Sequence, residues 1–277
     1  MKIVCTIAGS DSGGGAGIQA DLKAISANGG FGTSVITAIT AQNTIEVVDA
    51  QQISIELIKS QFDAVFSDFN VSAIKTGMLA NASVINIVAD LIKRSKCDKY
   101  VLDPVMISKS GYNLLEKEAV EALQKELFPL ATLITPNIYE AQVLSNMEIT
   151  TLKDVRIAGN ILLDKGVSAV LIKGGHLLSE KATDTLIMPN HTEYFPSDWI
   201  ETKNTHGTGC TYSAAIATHL AKGMSLIDSV STAKEYIFGA ISNGLELGQG
   251  SGPTDHFFYL RSKEYYNWNK RLNMKKL

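Results

Sequence analysis

Lys2-Ile3-Val4-Cys5-Thr6-Ile7-Ala8 is a short apolar run that stops at Gly9, and Ser10-Asp11-Ser12-Gly13-Gly14-Gly15-Ala16-Gly17 then carries no bulky side chain. The run has the length and β-branched content of a buried strand. Ile18, Leu22 and Ile25 next recur at helical spacing until Asn28-Gly29-Gly30, where glycine stops a helix by leaving it through a left-handed conformation. A buried strand, a loop of small residues and a helix form the first unit of a parallel α/β sheet.

The unit repeats. Thr33 to Thr40 is a second β-branched stretch closed by Ala41-Gln42-Asn43-Thr44, and helical periodicity over 53–66 leads to Ser72-Ala73-Ile74-Lys75 and Thr76-Gly77-Met78. A helix over 81–95 precedes Tyr100-Val101-Leu102 and Asp103-Pro104-Val105-Met106. Ser108-Lys109-Ser110-Gly111 reads as a polar loop, Glu116 to Leu127 as helix, and Thr132-Leu133-Ile134 as a strand running into Thr135-Pro136-Asn137. Helices over 137–145 and 151–164 come before Ala169-Val170-Leu171-Ile172, which ends at Lys173-Gly174-Gly175-His176. Asp184 to Met188 and Thr192 to Phe195 read as a hairpin around Pro189-Asn190, and a last long helix lies near 225–246. This alternation predicts a three-layer α/β/α fold, with a central mostly parallel sheet, right-handed crossovers and a small β-hairpin element. A single domain over 1–277 is expected, its 257–277 tail of interleaved Tyr, Trp, Lys and Arg forming a solvated terminal helix rather than a nucleic-acid surface.

Composition narrows the function classes. Hydrophobic residues at 45% and charged residues at 19% suit a chain that buries a large core. A net charge of −3 supplies no basic face for nucleic acid or an anionic membrane, which leaves small molecules as ligands. Cys5, Cys97 and Cys210 are too scattered for a disulfide framework or a thiolate metal site, which fits a reducing, cytoplasmic setting. The opening apolar run is far too short for a signal peptide, and no stretch approaches the ~18 residues of a membrane span.

The second informative stretch is Asn204-Thr205-His206-Gly207-Thr208-Gly209-Cys210-Thr211-Tyr212-Ser213-Ala214-Ala215-Ile216-Ala217. Its glycine turn runs straight into an Ala-rich helix, so the first backbone N–H groups can converge on an anion such as a phosphate. No Gly-Lys-Ser/Thr closes it as in a Walker loop, and Tyr212 stands where a dinucleotide fingerprint needs a third glycine. A tight loop before a packed helix would have the same sequence.

Gly9, Gln42, Thr76, Asp103, Thr135 and Lys173 each follow a predicted strand. In a parallel sheet those ends share one edge, so they can face the cradle at Gly207, Thr208, Gly209 and Cys210. Asp103 and Glu140 offer hard oxygen ligands suited to Mg²⁺, and Lys173 offers a point charge for phosphate. These are the parts of a phosphoryl-transfer site. Each has a structural alternative: Asp21 as a solvated helix position, Asn137 with Glu140 as a capping box, Cys210 as a small packing residue.

Ala8-Gly9-Ser10-Asp11-Ser12 with Gly14-Gly15-Ala16-Gly17-Ile18-Gln19-Ala20-Asp21 closely resembles the opening of the hydroxymethylpyrimidine and phosphomethylpyrimidine kinases of thiamine biosynthesis, members of the ribokinase-like superfamily. The resemblance continues in order through Lys75-Thr76-Gly77-Met78, Asp103-Pro104-Val105-Met106, Thr135-Pro136-Asn137 with Glu140-Ala141, Lys173 to His176, and Thr205 to Ala215. It implies a kinase that uses ATP and Mg²⁺ to phosphorylate 4-amino-5-hydroxymethyl-2-methylpyrimidine and its monophosphate. It further implies that Gly9, Asp21 and Gln42 hold the pyrimidine, with Met78 and Val105 as apolar walls. Asp103 and Glu140 would then organise the metal, Lys173, Thr208 and Gly209 meet the phosphates of ATP, and Gly207, Thr208 and Gly209 form the anion hole. Cys210 stands where the superfamily usually carries a catalytic aspartate. Beside a helix N-terminus its thiol is expected to be partly ionised and to serve as base. Two rivals remain: a pyridoxal kinase on the same scaffold, against which Gln42 argues because an amide both donates to and accepts from an aminopyrimidine edge, and a pyrimidine-sensing module without turnover. The resemblance also leaves a homodimer open.

Overall fold

The structure is a computed structural model and describes residues 1–106, 118–174 and 181–261. The loop at Ser108 to Gly111, the residues Gly175 and His176, and most of the 257–277 tail lie outside the described residues.

Strand β1 (Ile3–Asp11) lies inside the sheet, paired in parallel with β2 (Phe31–Gln42) on one side and with β4 (Val71–Thr76) on the other. Beyond β4 follow β5 (Tyr100–Leu102), β6 (Leu133–Ile134) and β7 (Val170–Ile172), all parallel, and then the antiparallel hairpin β8 (Ala182–Met188) and β9 (His191–Ser197). An antiparallel strand β3 (Val47–Gln52) closes the opposite edge, which gives nine strands among the described residues, in the order β3-β2-β1-β4-β5-β6-β7-β8-β9. The chain runs from β1 outward to β2 and β3 and then returns to β4 on the other side of β1, so the switch point of the topology lies there, where loops at the strand ends part and leave a crevice.

Alternate side chains of the inner strands point to opposite faces. Val4, Ala73, Val101, Leu133 and Leu171 meet α1 (Gly17–Ala27), α7 (Thr208–Ala221) and α8 (Leu226–Ser242) in one core. Cys5, Ile74, Leu102, Ile134 and Ile172 meet α2 (Ile55–Asp68), α3 (Ala82–Ser95), α5 (Ile138–Ser145) and α6 (Leu152–Asp164) in the other. The short α4 (Ala119–Ala122) continues through a wider π-type turn over Leu123–Leu127 and a 3-10 turn over Phe128–Leu130. Among the described residues no helix is long and apolar enough to cross a membrane.

Two features depart from the sequence reading. Strand β1 runs past Gly9 to Asp11, because its ladder with β2 shifts register between Ala8 and Ser10 and resumes. Strand β3 was not expected. Of its side chains only Val47 is buried, so it has no hydrophobic period and is held by backbone pairing to β2.

Candidate active site

Asp11, at the end of β1, folds the glycine-rich loop. Its carboxylate accepts from the backbone N–H groups of Gly13 at 2.8 Å, Gly15 at 3.0 Å and Ala16 at 2.7 Å, and from His206 Nε2 at 2.9 Å. Burial alone would raise its pKa, but the bond from His206 and those from Ala16 and Gly13 together hold it below the usual carboxylate range. The loop after β1 is thereby fastened to the loop before α7. Asp11 and His206 were given no role from sequence; only the Asp-x-Gly turn signature at Asp11–Gly13 was available as a signal.

Helix α7 is buried along most of its length and its small residues let it pack closely between α1, α8 and the sheet. That burial carries its first turn to the crevice. Gly207 precedes the helix with φ +77° and supplies no side-chain cap, so N–H groups of the first turn are left for a ligand. Facing Gly209 is an ion pair: Lys173 Nζ, from the end of β7, stands 3.1 Å from Asp103 Oδ1, from the end of β5. Thr135 Oγ1 donates to the same oxygen at 3.0 Å, and Ser213 Oγ lies 3.2 Å from the other. Burial would raise Asp103 and lower Lys173; each charge overrides that for its partner, leaving Asp103 below and Lys173 above its ordinary range.

Glu140 completes this cluster while also serving as a cap. Asn137 Oδ1 accepts from the Glu140 N–H at 2.9 Å, and Glu140 Oε2 accepts from the Asn137 N–H at 2.8 Å, a full capping box on α5. The capping reading of Glu140 therefore holds, and the same carboxylate lines the cavity. Burial pushes its pKa up to about 7, opposed by Lys173 and reinforced by Asp103. Between the ordinary carboxylate range and about 7, the folded protein then binds a proton that the unfolded chain has lost, so ligand-free stability falls as pH rises through that window and levels off above it. Glu140→Gln, which can still accept from the Asn137 N–H, is expected to flatten this fall in pH-dependent melting curves and to raise the Mg²⁺ concentration needed for any activity. An unchanged pH profile together with unchanged Mg²⁺ dependence would leave Glu140 as a cap alone.

Beneath the cradle lies a second buried pair. Lys75 Nζ, from the end of β4, is 2.9 Å from both oxygens of Asp21, and Thr6 Oγ1 donates to Asp21 at 2.6 Å. Burial pushes the carboxyl of Asp21 up and, against burial, Asp21 pushes the amine of Lys75 up. These directions oppose each other, and the two-oxygen contact to one ammonium is that of an ionised pair. Two expectations for Asp21 are corrected here. It is not solvated, and it is absent from the cavity wall, where Lys75 stands instead. The position of Lys75 in the wall follows from β4 lying beside β1, which no local spacing announces.

Cys210 faces the cavity, but its thiol is not activated. Desolvation pushes it up to about 12; Lys75 lowers it, and Asp21 and Asp103 raise it again. The direction is opposite to the one expected: desolvation first, then Asp21 and Asp103, act against the lowering by Lys75 and by the helix start.

These groups line one cavity of about 610 Å³, within the range of small-molecule sites. Gly9, Gln42, Met78 and Val105 line it at the β2-to-β5 side, where a side chain on Gly9 would run into Met78. Thr76 and Thr135, expected at the same edge, are buried and bonded to Tyr100 and Asp103. Toward β8 the wall is made by Trp199, Ile237, Ile241, Tyr212 and the pair of Lys234 Nζ with Asp184 Oδ2 at 2.8 Å, none of which the sequence reading named as a site residue. The cavity thus has a polar, small-residue end, a centre of paired charges under the cradle and a more apolar end.

Residues 11–255 match the family model described as phosphomethylpyrimidine kinase. The chain is 48% identical to the hydroxymethylpyrimidine/phosphomethylpyrimidine kinase of Haemophilus influenzae over 265 residues, covering 94% of this chain and 98% of that one. It is 47% identical to the thiamine biosynthesis bifunctional protein of Geobacter sulfurreducens, over 91% of this chain and 52% of that longer one. Among solved structures, the ADP complex of Bacillus subtilis pyridoxal kinase superposes with a TM-score of 0.88 at 39% identity, covering 95% of this chain and all of that one.

Proposed function

Because the chain belongs to the phosphomethylpyrimidine kinase family, we propose that its cavity transfers a phosphoryl group from ATP to 4-amino-5-hydroxymethyl-2-methylpyrimidine and to the monophosphate of that compound, in thiamine biosynthesis. The observation that carries this reading is the Lys173–Asp103 pair facing a side-chain-free helix start, with Glu140 in the same cavity wall. Phosphoryl transfer passes through a loose transition state that asks for positioning and charge stabilisation more than for covalent chemistry. Lys173 and the first-turn N–H groups of α7 hold the transferring group. Gln42 reads the pyrimidine edge, Met78 and Val105 pack its faces, and Lys75, kept charged by Asp21, lies under the reacting end.

Asp103 and Glu140 fit Mg²⁺, which takes oxygen ligands and binds through one or two carboxylates plus substrate phosphates. Burial is what raises the pKa of Glu140, with Asp103 adding to it, and a cation at the two carboxylates would favour the ionised form. Mg²⁺ held there would neutralise phosphate charge. A protonated Cys210 suits a late proton transfer: the thiol positions the hydroxymethyl group, whose proton passes to an oxygen of the phosphoryl group as the new P–O bond forms and the bond to ADP breaks. Cys210→Ala is therefore expected to lower kcat by less than about tenfold, against the 10²–10⁴-fold of a lost general base. A loss in that higher range would restore Cys210 as base.

The reading is tested by a coupled assay across hydroxymethylpyrimidine, its monophosphate and pyridoxal, with turnover expected on the first two. Pyridoxal as the sole substrate would move the chain to the related activity of the superposed kinase. Gln42→Ala is expected to weaken pyrimidine binding by about 1–3 kcal/mol while the KM for ATP stays nearly unchanged; equal losses for both ligands would remove Gln42 from the pyrimidine end. A cytoplasmic location and a homodimer are part of the same proposal.

A further inference from the structure

The hydrogen atoms around Gln42 can be counted, and the count assigns a task to His206. Thr40 Oγ1 has one hydrogen and stands 2.9 Å from the carbonyl oxygen of Ser10, which can only accept. At its other contact, 3.2 Å from the Gln42 amide, Thr40 therefore accepts, and the amide must present nitrogen there. On the far side, His206 Nε2 stands 2.9 Å from Asp11 Oδ2 and 3.4 Å from the Gln42 amide. Asp11 already takes three backbone N–H bonds and is held ionised, so it too only accepts. Nε2 of His206 then carries its one hydrogen toward Asp11, and the amide atom that shares this hydrogen at the longer 3.4 Å contact must be oxygen. As placed, Gln42 has Oε1 toward Thr40 and Nε2 toward His206, a donor against a donor. Turning the amide end for end satisfies both neighbours in the same volume.

We propose that His206 is a positioning residue for substrate selection. Asp11 fixes its Nε2–H tautomer, that N–H fixes the Gln42 amide with oxygen toward His206 and nitrogen toward Thr40, and the remaining N–H and lone pair of the amide face the acceptor substrate in one order only. An aminopyrimidine presents a donor and an acceptor side by side, so the order of the amide sets the register in which it is bound. The imidazole has a made-to-measure seat: a side chain on Gly15 would run into its Cδ2, and its own backbone N–H donates to Gly252 O at 3.0 Å. This inference rests on the pyrimidine-kinase reading above.

Two measurements test it. In the full chain labelled with ¹⁵N-histidine, long-range ¹H–¹⁵N spectra, assigned by the signal lost in His206→Phe, are expected to give the Nε2–H tautomer; a bare Nε2 with hydrogen on Nδ1 overturns the proposal whatever the enzyme's substrate. In kinetics, His206→Phe is expected to raise the KM for hydroxymethylpyrimidine about tenfold, the scale of one lost hydrogen bond, and by clearly more than it raises the KM for ATP through the loosened cradle loop. Added to Gln42→Ala it should cost nothing further, because the residue through which it acts is gone. Losses that multiply in the double variant, or equal rises in the two KM values, would mean that His206 only braces the cradle loop. Should His206→Phe not fold, Thr40→Val interrupts the same chain at its other end and is expected to show the same non-additivity. A wild-type protein that does not phosphorylate the pyrimidine defeats the functional reading instead, and the tautomer result still stands by itself.

Discussion

Replacing Lys173 by Met is expected to lower kcat by about 10²–10³-fold, the effect of removing one preorganised charge or donor from a developing anion. Lys173 Nζ stands 3.1 Å from Asp103 and faces Gly209 closely enough that a methyl built there would be 3.4 Å from it. The ammonium is thus held where the cradle and the carboxylates meet, and water cannot take its place at no cost. The same change leaves Asp103 buried without its cation, a loss of about 3–5 kcal/mol for a broken buried pair. The two effects separate in the double variant Lys173→Met with Asp103→Asn, which removes the orphaned charge: melting temperature should recover and kcat should not. Recovery of both would make the pair structural, with no part in transfer.

Gly207→Ala is expected to be the most damaging single methyl in the cradle. At φ +77° any alanine carries a left-handed backbone cost of about 1–2 kcal/mol. Here the new carbon would also run into the carbonyl oxygen of Gly15, the loop that Asp11 and His206 fasten to this turn. Relief requires the two loops to part, so the total should exceed about 3 kcal/mol, accompanied by a rise in the KM for ATP. Gly223→Ala supplies the control, since its φ is +90° with nothing within 4 Å of the added carbon. Its melting curve should show the backbone cost alone. Equal losses for the two variants would show that the contact between the cradle and the glycine loop carries no energy.

The residues that could be read from the chain have short-range signals. A strand that is buried on both faces must be apolar, so its polar last residue stands out; Gly9, Gln42, Asp103 and Lys173 announced themselves in this way and all four line the cavity. Glu140 was legible as a cap because the capping box spans three residues, and its place in the cavity followed from the strand before it. Strand β3 was not legible, since backbone pairing leaves no mark on exposed side chains.

What the sequence by itself determined was therefore the alternating α/β architecture, the glycine turn that opens α7 and the family to which the motifs belong, because each depends on periodicity or on neighbours within a few residues. The tertiary structure alone decided which charges meet. Lys75 finds Asp21 across 54 residues and His206 finds Asp11 across 195, pairings set by strand order. It also decided the sign of the shift at Cys210: a helix N-terminus lowers a thiol's pKa, but the low dielectric of this fold and the carboxylates of Asp21 and Asp103 raise it more. An electrostatic environment is a sum over everything within reach, and reach is a property of the folded chain.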